Sequence, residues 1–162
     1  SRIPLQHLQD IQNAGVLRRG VHVSYAPVLS GVGKKEFKDV LGVFYDKKNQ
    51  NYLALNMPAL LAHGGHASLA ADVLTHELGH ALDEAREHQG GKARHPWSEG
   101  RGVSSAYVKA VGTERISEYA KTDPQEAMAE AYMMYANPRG RVHMKERFSK
   151  SHAYMQQLFG GA

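Results

Sequence analysis

The sequence predicts an α+β domain: a small twisted sheet, mainly antiparallel, packed on one long helix and followed by a helical C-terminal half. Three observations carry that expectation. Short apolar runs of strand length cluster in the first part of the chain, at residues 21–25, 41–45 and 52–55. An Ala- and Leu-rich stretch without proline then runs from Ser68 or Asp72 to about Glu87. Beyond Asp123 the apolar residues recur at helical rather than strand spacing.

The elements follow in order. Residues 4–17 carry Leu5, Leu8, Ile11, Gln12 and Gly15 at helical spacing, which predicts an opening helix, and residues 21–25 alternate apolar and polar as a strand does. Residues 41–45 and 52–55 flank the polar run Asp46-Lys47-Lys48-Asn49-Gln50-Asn51, the pattern of an antiparallel hairpin. The long helix ends ahead of Gly90-Gly91. Residues 89–105, rich in Gly, Arg and Ser around Pro96-Trp97, have no periodicity and are expected as a long surface loop. Asp123-Pro124 opens a second clear helix to about Ala136, Asn137-Pro138 breaks it, and residues 142–159 form one or two closing helices. With no repeat and no linker, residues 1–162 are read as one domain.

Composition narrows the chemistry. Cysteine is absent and histidine occurs ten times, so a transition metal would have to be held by His, Asp or Glu. The net charge of +4 comes from scattered basic residues, in small clusters at Arg18-Arg19, Lys34-Lys35, Lys47-Lys48 and between 139 and 147. A nucleic-acid surface would need a basic stripe with interleaved aromatics, so no nucleic-acid partner is expected. No apolar run approaches the ~20 residues that span a bilayer. The start lacks the unbroken apolar stretch of a signal peptide, and its opening on Ser1 suggests a piece cut from a longer protein. Gly31-Val32-Gly33-Lys34 fails as a phosphate loop because neither the Gly spacing nor a Ser or Thr after Lys34 is present.

The segment His76-Glu77-Leu78-Gly79-His80 carries the sharpest chemical signal. With about 100° per residue, His80 lies about 40° and Glu77 about 100° from His76, while Leu74, Leu78, Ala81, Leu82 and Ala85 fall between about 140° and 240°. The histidines thus face away from the apolar stripe. One helical turn brings two imidazoles to a shared metal, and a glutamate beside them reaches a water on that metal rather than the metal itself. A chance match is expected in roughly one sequence in 25 of this composition, so the context has to decide.

A third ligand is therefore needed. The metzincin spacing is not met, since Asp83 and Arg86 stand where it requires Gly and His. Glu126 and Glu130 lie four apart on the second helix and face the same side. Glu126 is a candidate metal ligand, and Glu130 a candidate acceptor for the second N–H of a ligating histidine. The competing reading of Asp123-Pro124-Gln125-Glu126 is a capping box, with Glu126 at its third helical position. Tyr119, just ahead of this helix, is placed to overhang the metal as an oxyanion donor must, or else is a partly buried aromatic. His63, His66, His88 and His95 sit in Gly-rich or polar stretches and read as solvated.

Residues 116–131, Ile-Ser-Glu-Tyr-Ala-Lys-Thr-Asp-Pro-Gln-Glu-Ala-Met-Ala-Glu-Ala, resemble the catalytic domain of anthrax lethal factor and its relatives, the Pro-Pro endopeptidases among them. Those proteins share H-E-x-x-H with a later Tyr-x6-Glu-x3-Glu, which Tyr119, Glu126 and Glu130 fill here. The resemblance covers residues 76–131 and implies a zincin-like fold and a zinc-dependent endopeptidase. It implies zinc ligands His76, His80 and Glu126, general base Glu77, oxyanion donor Tyr119, and Glu130 behind a ligating histidine. Metallopeptidase effectors of type VI secretion spikes and toxin ends of polymorphic toxins look similar. They imply the C-terminal effector part of a longer bacterial protein, secreted or translocated to act on a polypeptide in a target cell or its periplasm. They also imply two partners, a secretion-apparatus carrier domain and a cognate immunity or inhibitor protein. The alternative is a non-cleaving zinc-binding interaction domain. An extended substrate is expected along an exposed edge of strand 52–55, with loop 89–105 bordering the cleft.

Overall fold

The computed structural model describes residues 3–24, 40–45, 52–64, 66–89 and 102–160. Three strands, β1 (Val21–Ser24), β2 (Gly42–Tyr45) and β3 (Tyr52–Asn56), form one mixed sheet of order β1-β3-β2. The hairpin partners β2 and β3 are antiparallel, Gly42 facing Leu55 and Tyr45 facing Tyr52, as expected. β1 is parallel to β3, Val21 facing Leu53, so among the described residues the sheet is mixed rather than mainly antiparallel. Alternation within a short strand reports which face is buried and says nothing of the neighbour's direction. Pairing with β2 leaves the other side of β3 open, and β1 fills it, the Leu53 N–H donating to the Gly20 carbonyl.

β3 is therefore the central strand, and Leu53, Ala54, Leu55 and Asn56 are all buried. That overturns the expectation of a substrate along residues 52–55, because both edges of β3 are paired. Among the described residues the outer edges belong to β1 and β2. The hairpin loop 46–51 lies outside the described residues.

Helices supply the rest. α1 (Leu5–Asn13) opens the chain, and α2 (Met57–Ala62), not expected from the sequence, follows β3 directly. Asn56 ends the strand and starts this helix, its side chain accepting the Ala59 N–H at 3.4 Å and donating to the Val40 carbonyl at 3.0 Å. At six residues α2 is too short for periodicity to reveal. α3 (Ala67–Gln89) is the long helix, α5 (Pro124–Ala136) the second clear one, and α6 (Pro138–Arg147) and α7 (Ser149–Leu158) close the chain. Asn137 both ends α5 and caps α6, accepting the Arg139 N–H at 3.0 Å.

α4 (Val103–Val111) begins inside the stretch expected as loop, of which residues 90–101 lie outside the described part. Its first turn is capped from α3: Asp83 Oδ1 accepts the Ser104 N–H at 2.8 Å, and a Cβ at Gly102 would collide with that carboxylate. A cap supplied from a distant helix leaves no local Ser/Thr/Asp signal, which is why the sequence reads here as loop.

α3 runs through the middle of the molecule. Its predicted apolar stripe is buried, Leu78, Ala81, Leu82 and Ala85 packing with Leu53 and Leu55 of the sheet and with Tyr107, Met128 and Tyr132. α1 is tied to it by an Arg86–Asp10 ion pair at 3.2 Å, and to the C-terminus through buried His7. His7 Nε2 lies 2.8 Å from the Leu158 carbonyl, which can only accept, so Nε2 carries the proton. Nδ1 then accepts from the Tyr132 hydroxyl at 2.9 Å. No described helix is long and apolar enough to cross a membrane.

Candidate metal centre

Two helices build the site, and small residues decide how close they come. Gly79 of α3 lies against α5, where a Cβ would stand 3.1 Å from Ala129 Cα and 3.3 Å from Tyr132 Cβ. Small residues at a helix crossing let the backbones approach. The side chains on either side of Gly79–Ala129 then face each other across a short gap. His76 and His80 project from α3, and Glu126 and Glu130 from α5.

The distances form a tight cluster. His76 Nε2 and Glu126 Oε2 are 3.1 Å apart, His80 Nε2 and His76 Nε2 3.1 Å, and His80 Nε2 and Glu126 Oε2 3.5 Å. Atoms bound tetrahedrally at 2.0–2.1 Å from one zinc ion lie about 3.3 Å from each other, which these three separations bracket. Behind His76, Glu130 Oε1 is 3.5 Å from Nδ1. With its proton on Nδ1, towards that carboxylate, His76 would present the Nε2 lone pair to a cation. Two imidazole nitrogens and a carboxylate oxygen converging at these separations make a donor set that fits zinc. Among the described residues, this is the group of His, Asp and Glu with metal-holding geometry.

The electrostatics agree with that geometry. Burial opposes ionisation of Glu126, yet its contacts with His76 and His80 outweigh burial and hold its carboxyl well below the usual range. For His80, burial disfavours the cation, but the Glu126 hydrogen bond and the charge of Glu77 prevail and raise its pKa. The side chains of His76 and His80 are 12% and 16% exposed, so they are covered, though by α5 rather than by the apolar core.

Glu77 lies beside the cluster and is buried. Burial raises its pKa, against the pull of His80, His76 and a hydrogen bond from the Phe44 N–H of β2. A carboxylate so placed is a stronger base than a solvated one.

Tyr119 stands in a single 3-10 turn, Tyr119–Lys121, that leads into α5. Its ring centroid is 6.2 Å from that of His76, and the residue is 53% exposed. Partial burial, and then the Glu126 carboxylate it is hydrogen-bonded to, push the phenol up to about 12, so it remains a donor at any working pH. Asp123 caps α5 by accepting the Gln125 and Glu126 N–H groups at 2.8 and 2.9 Å. Of the capping box only the Asp123 half is seen: Glu126 gives its backbone N–H to the cap and turns its carboxylate to the histidines.

All the expected site residues, His76, Glu77, His80, Tyr119, Glu126 and Glu130, meet at this one place. His63 and His66 are exposed and apart from it, while His95 and the segment 31–34 lie outside the described residues. Gly79, Ala129, Gly42 and Phe44 also shape the site, beyond the residues expected from the sequence. Gly79 and the Ala-Glu-Ala at 129–131 are legible as a small-residue crossing once the two helices are paired; nothing in the sequence signals the contact of β2 with Glu77. Arg86, at the place of a metzincin's third histidine, instead holds Asp10. Comparison with protein-family models, with curated proteins and with solved structures finds no match.

Proposed function

We propose that this domain is a zinc-dependent endopeptidase of the glutamate-liganded zincin type. The observation that carries the reading is the convergence of His76, His80 and Glu126 on one point, with Glu77 beside it. A purely structural metal site has no use for the two flanking groups, Glu77 and Tyr119, which disfavours a non-cleaving zinc-binding domain. Zinc held by the three ligands supplies Lewis acidity, which makes water nucleophilic near neutral pH and polarises a carbonyl. Glu77 takes the proton of the attacking water and returns it to the leaving amine. Tyr119 donates its hydroxyl to the oxyanion, and Glu130 fixes the tautomer of His76.

An extended peptide adds to the outer edge of β2, which runs beside Glu77, rather than to β3. Amide exchange at Gly42 is then slowed by an uncleavable peptide, and unchanged exchange argues against that placement. The resemblance to lethal factor and to secretion-spike and polymorphic-toxin peptidases supports a secreted or translocated bacterial effector, with a carrier domain and an immunity protein as partners.

The test incubates the protein with a mixed peptide pool and counts new amino termini by mass spectrometry. Cleavage that stops with chelator and returns with zinc is expected. Zinc bound at one ion per chain with no new termini would instead favour the non-cleaving interaction domain.

A further inference from the structure

β2 passes α3 more closely than a side chain at Gly42 would allow. A Cβ there would lie 2.5 Å from Val73 Cγ1 and 3.2 Å from both Cγ and Oε1 of Glu77. A glycine inside a strand often marks such an approach of backbone to another group. The ladder shows what the approach brings together.

In an antiparallel pair, residues whose N–H and C=O face the partner alternate with residues whose groups face away. The Asn56 N–H donates to the Leu41 carbonyl at 2.9 Å, so in this register positions 41, 43 and 45 turn towards β3. Gly42 and Phe44 turn outward. The Phe44 N–H, free of the β3 ladder, donates to the Glu77 carboxylate.

We propose that the Phe44 amide, brought within reach by Gly42, is the clamp that aims Glu77 at the attacking water; this inference deepens the peptidase reading and rests on it. Glu77 has three side-chain torsions, and the helix alone does not decide where its carboxylate points. One oxygen held by a backbone donor fixes the carboxylate and leaves the other oxygen for the water. Loss of such alignment lowers the rate of the chemical step more than the binding of substrate. Phe44 and Gly42 are positioning residues, acting through Glu77.

Two measurements test the clamp. Phe44→Pro deletes the N–H while sparing the bonds to β3, since proline is tolerated on an edge strand where the N–H faces outward. Phe44→Ala loses the same ring but keeps the N–H. At one zinc per chain in both, kcat of Phe44→Pro is expected roughly tenfold below that of Phe44→Ala, with KM within about twofold. Independently of activity, the Phe44 amide of the metal-free wild type should exchange roughly tenfold more slowly than in Glu77→Ala, while the Val43 and Tyr45 amides are unchanged. Equal exchange of the Phe44 amide in both proteins overturns the bond. Equal kcat for the two Phe44 variants overturns its role. A wild type that cleaves nothing at full zinc occupancy overturns the peptidase reading and the clamp's function with it, even where exchange shows the bond.

Discussion

Tyr119 is the residue whose role depends most on what happens at the metal. It keeps its proton, with a pKa pushed up to about 12 by partial burial and the neighbouring Glu126, and its ring lies 6.2 Å from that of His76. In the proposed mechanism its contribution falls on the oxyanion, so Tyr119→Phe should lower kcat roughly 10- to 100-fold with little change in KM. Steady-state kinetics on one peptide decides it, and an unchanged kcat removes Tyr119 from the mechanism. Glu130 lies one step further back, 3.5 Å from His76 Nδ1, and in the proposed mechanism acts through that histidine. Glu130→Ala should weaken zinc binding roughly 10- to 100-fold, measured by competition with a chromogenic chelator. These residues were legible in the sequence because their spacing is itself the chemistry: i, i+4 for the histidines, and again for Glu126 and Glu130. Gly42 and Phe44 were not, since contact between a strand and a helix far along the chain leaves no local pattern.

The site exists because α3 and α5 touch at Gly79 and Ala129. Gly79→Val inserts a branched side chain where a Cβ already meets Ala129 Cα at 3.1 Å, which forces the helices apart. Overpacking of this kind costs about 1–3 kcal/mol, seen as a lower urea midpoint. The same displacement carries Glu126 away from the histidines, so zinc affinity should fall along with stability. Wild-type zinc affinity in Gly79→Val would show that the crossing does not position the ligand. The long elements were readable for physical reasons: α3 has an apolar stripe at helical period and α5 carries Asp-Pro at its start. The parallel pairing of β1, the short α2 and the start of α4 were not, because each depends on a distant partner: a vacant strand edge, the Asn56 cap, and Asp83 reaching across from α3.

The whole molecule is closed by His7, which joins α1 to Tyr132 of α5 and to the end of α7. Burial, partly offset by the Leu158 carbonyl, lowers its pKa below 6.5, so the native state holds it neutral. The unfolded state then binds the extra proton first as pH falls, and stability is lost from about pH 6.5 downward towards the folded pKa. In zinc-loaded protein the urea midpoint should drop between pH 7.5 and 5.5 more steeply for wild type than for His7→Gln; parallel slopes would contradict this account of His7. Zinc bound at the proposed site would stabilise the fold by mass action, by about 2.7 kcal/mol at a free concentration one hundred times Kd, so a chelator should lower Tm. The central claim is that one bound zinc and Glu77 together hydrolyse peptide bonds. Its most direct test measures zinc content and peptide cleavage on the same samples of wild type and Glu77→Ala. The account predicts one zinc per chain in both and cleavage in the wild type alone; equal cleavage by the two proteins, or a wild type that binds no zinc, would contradict it.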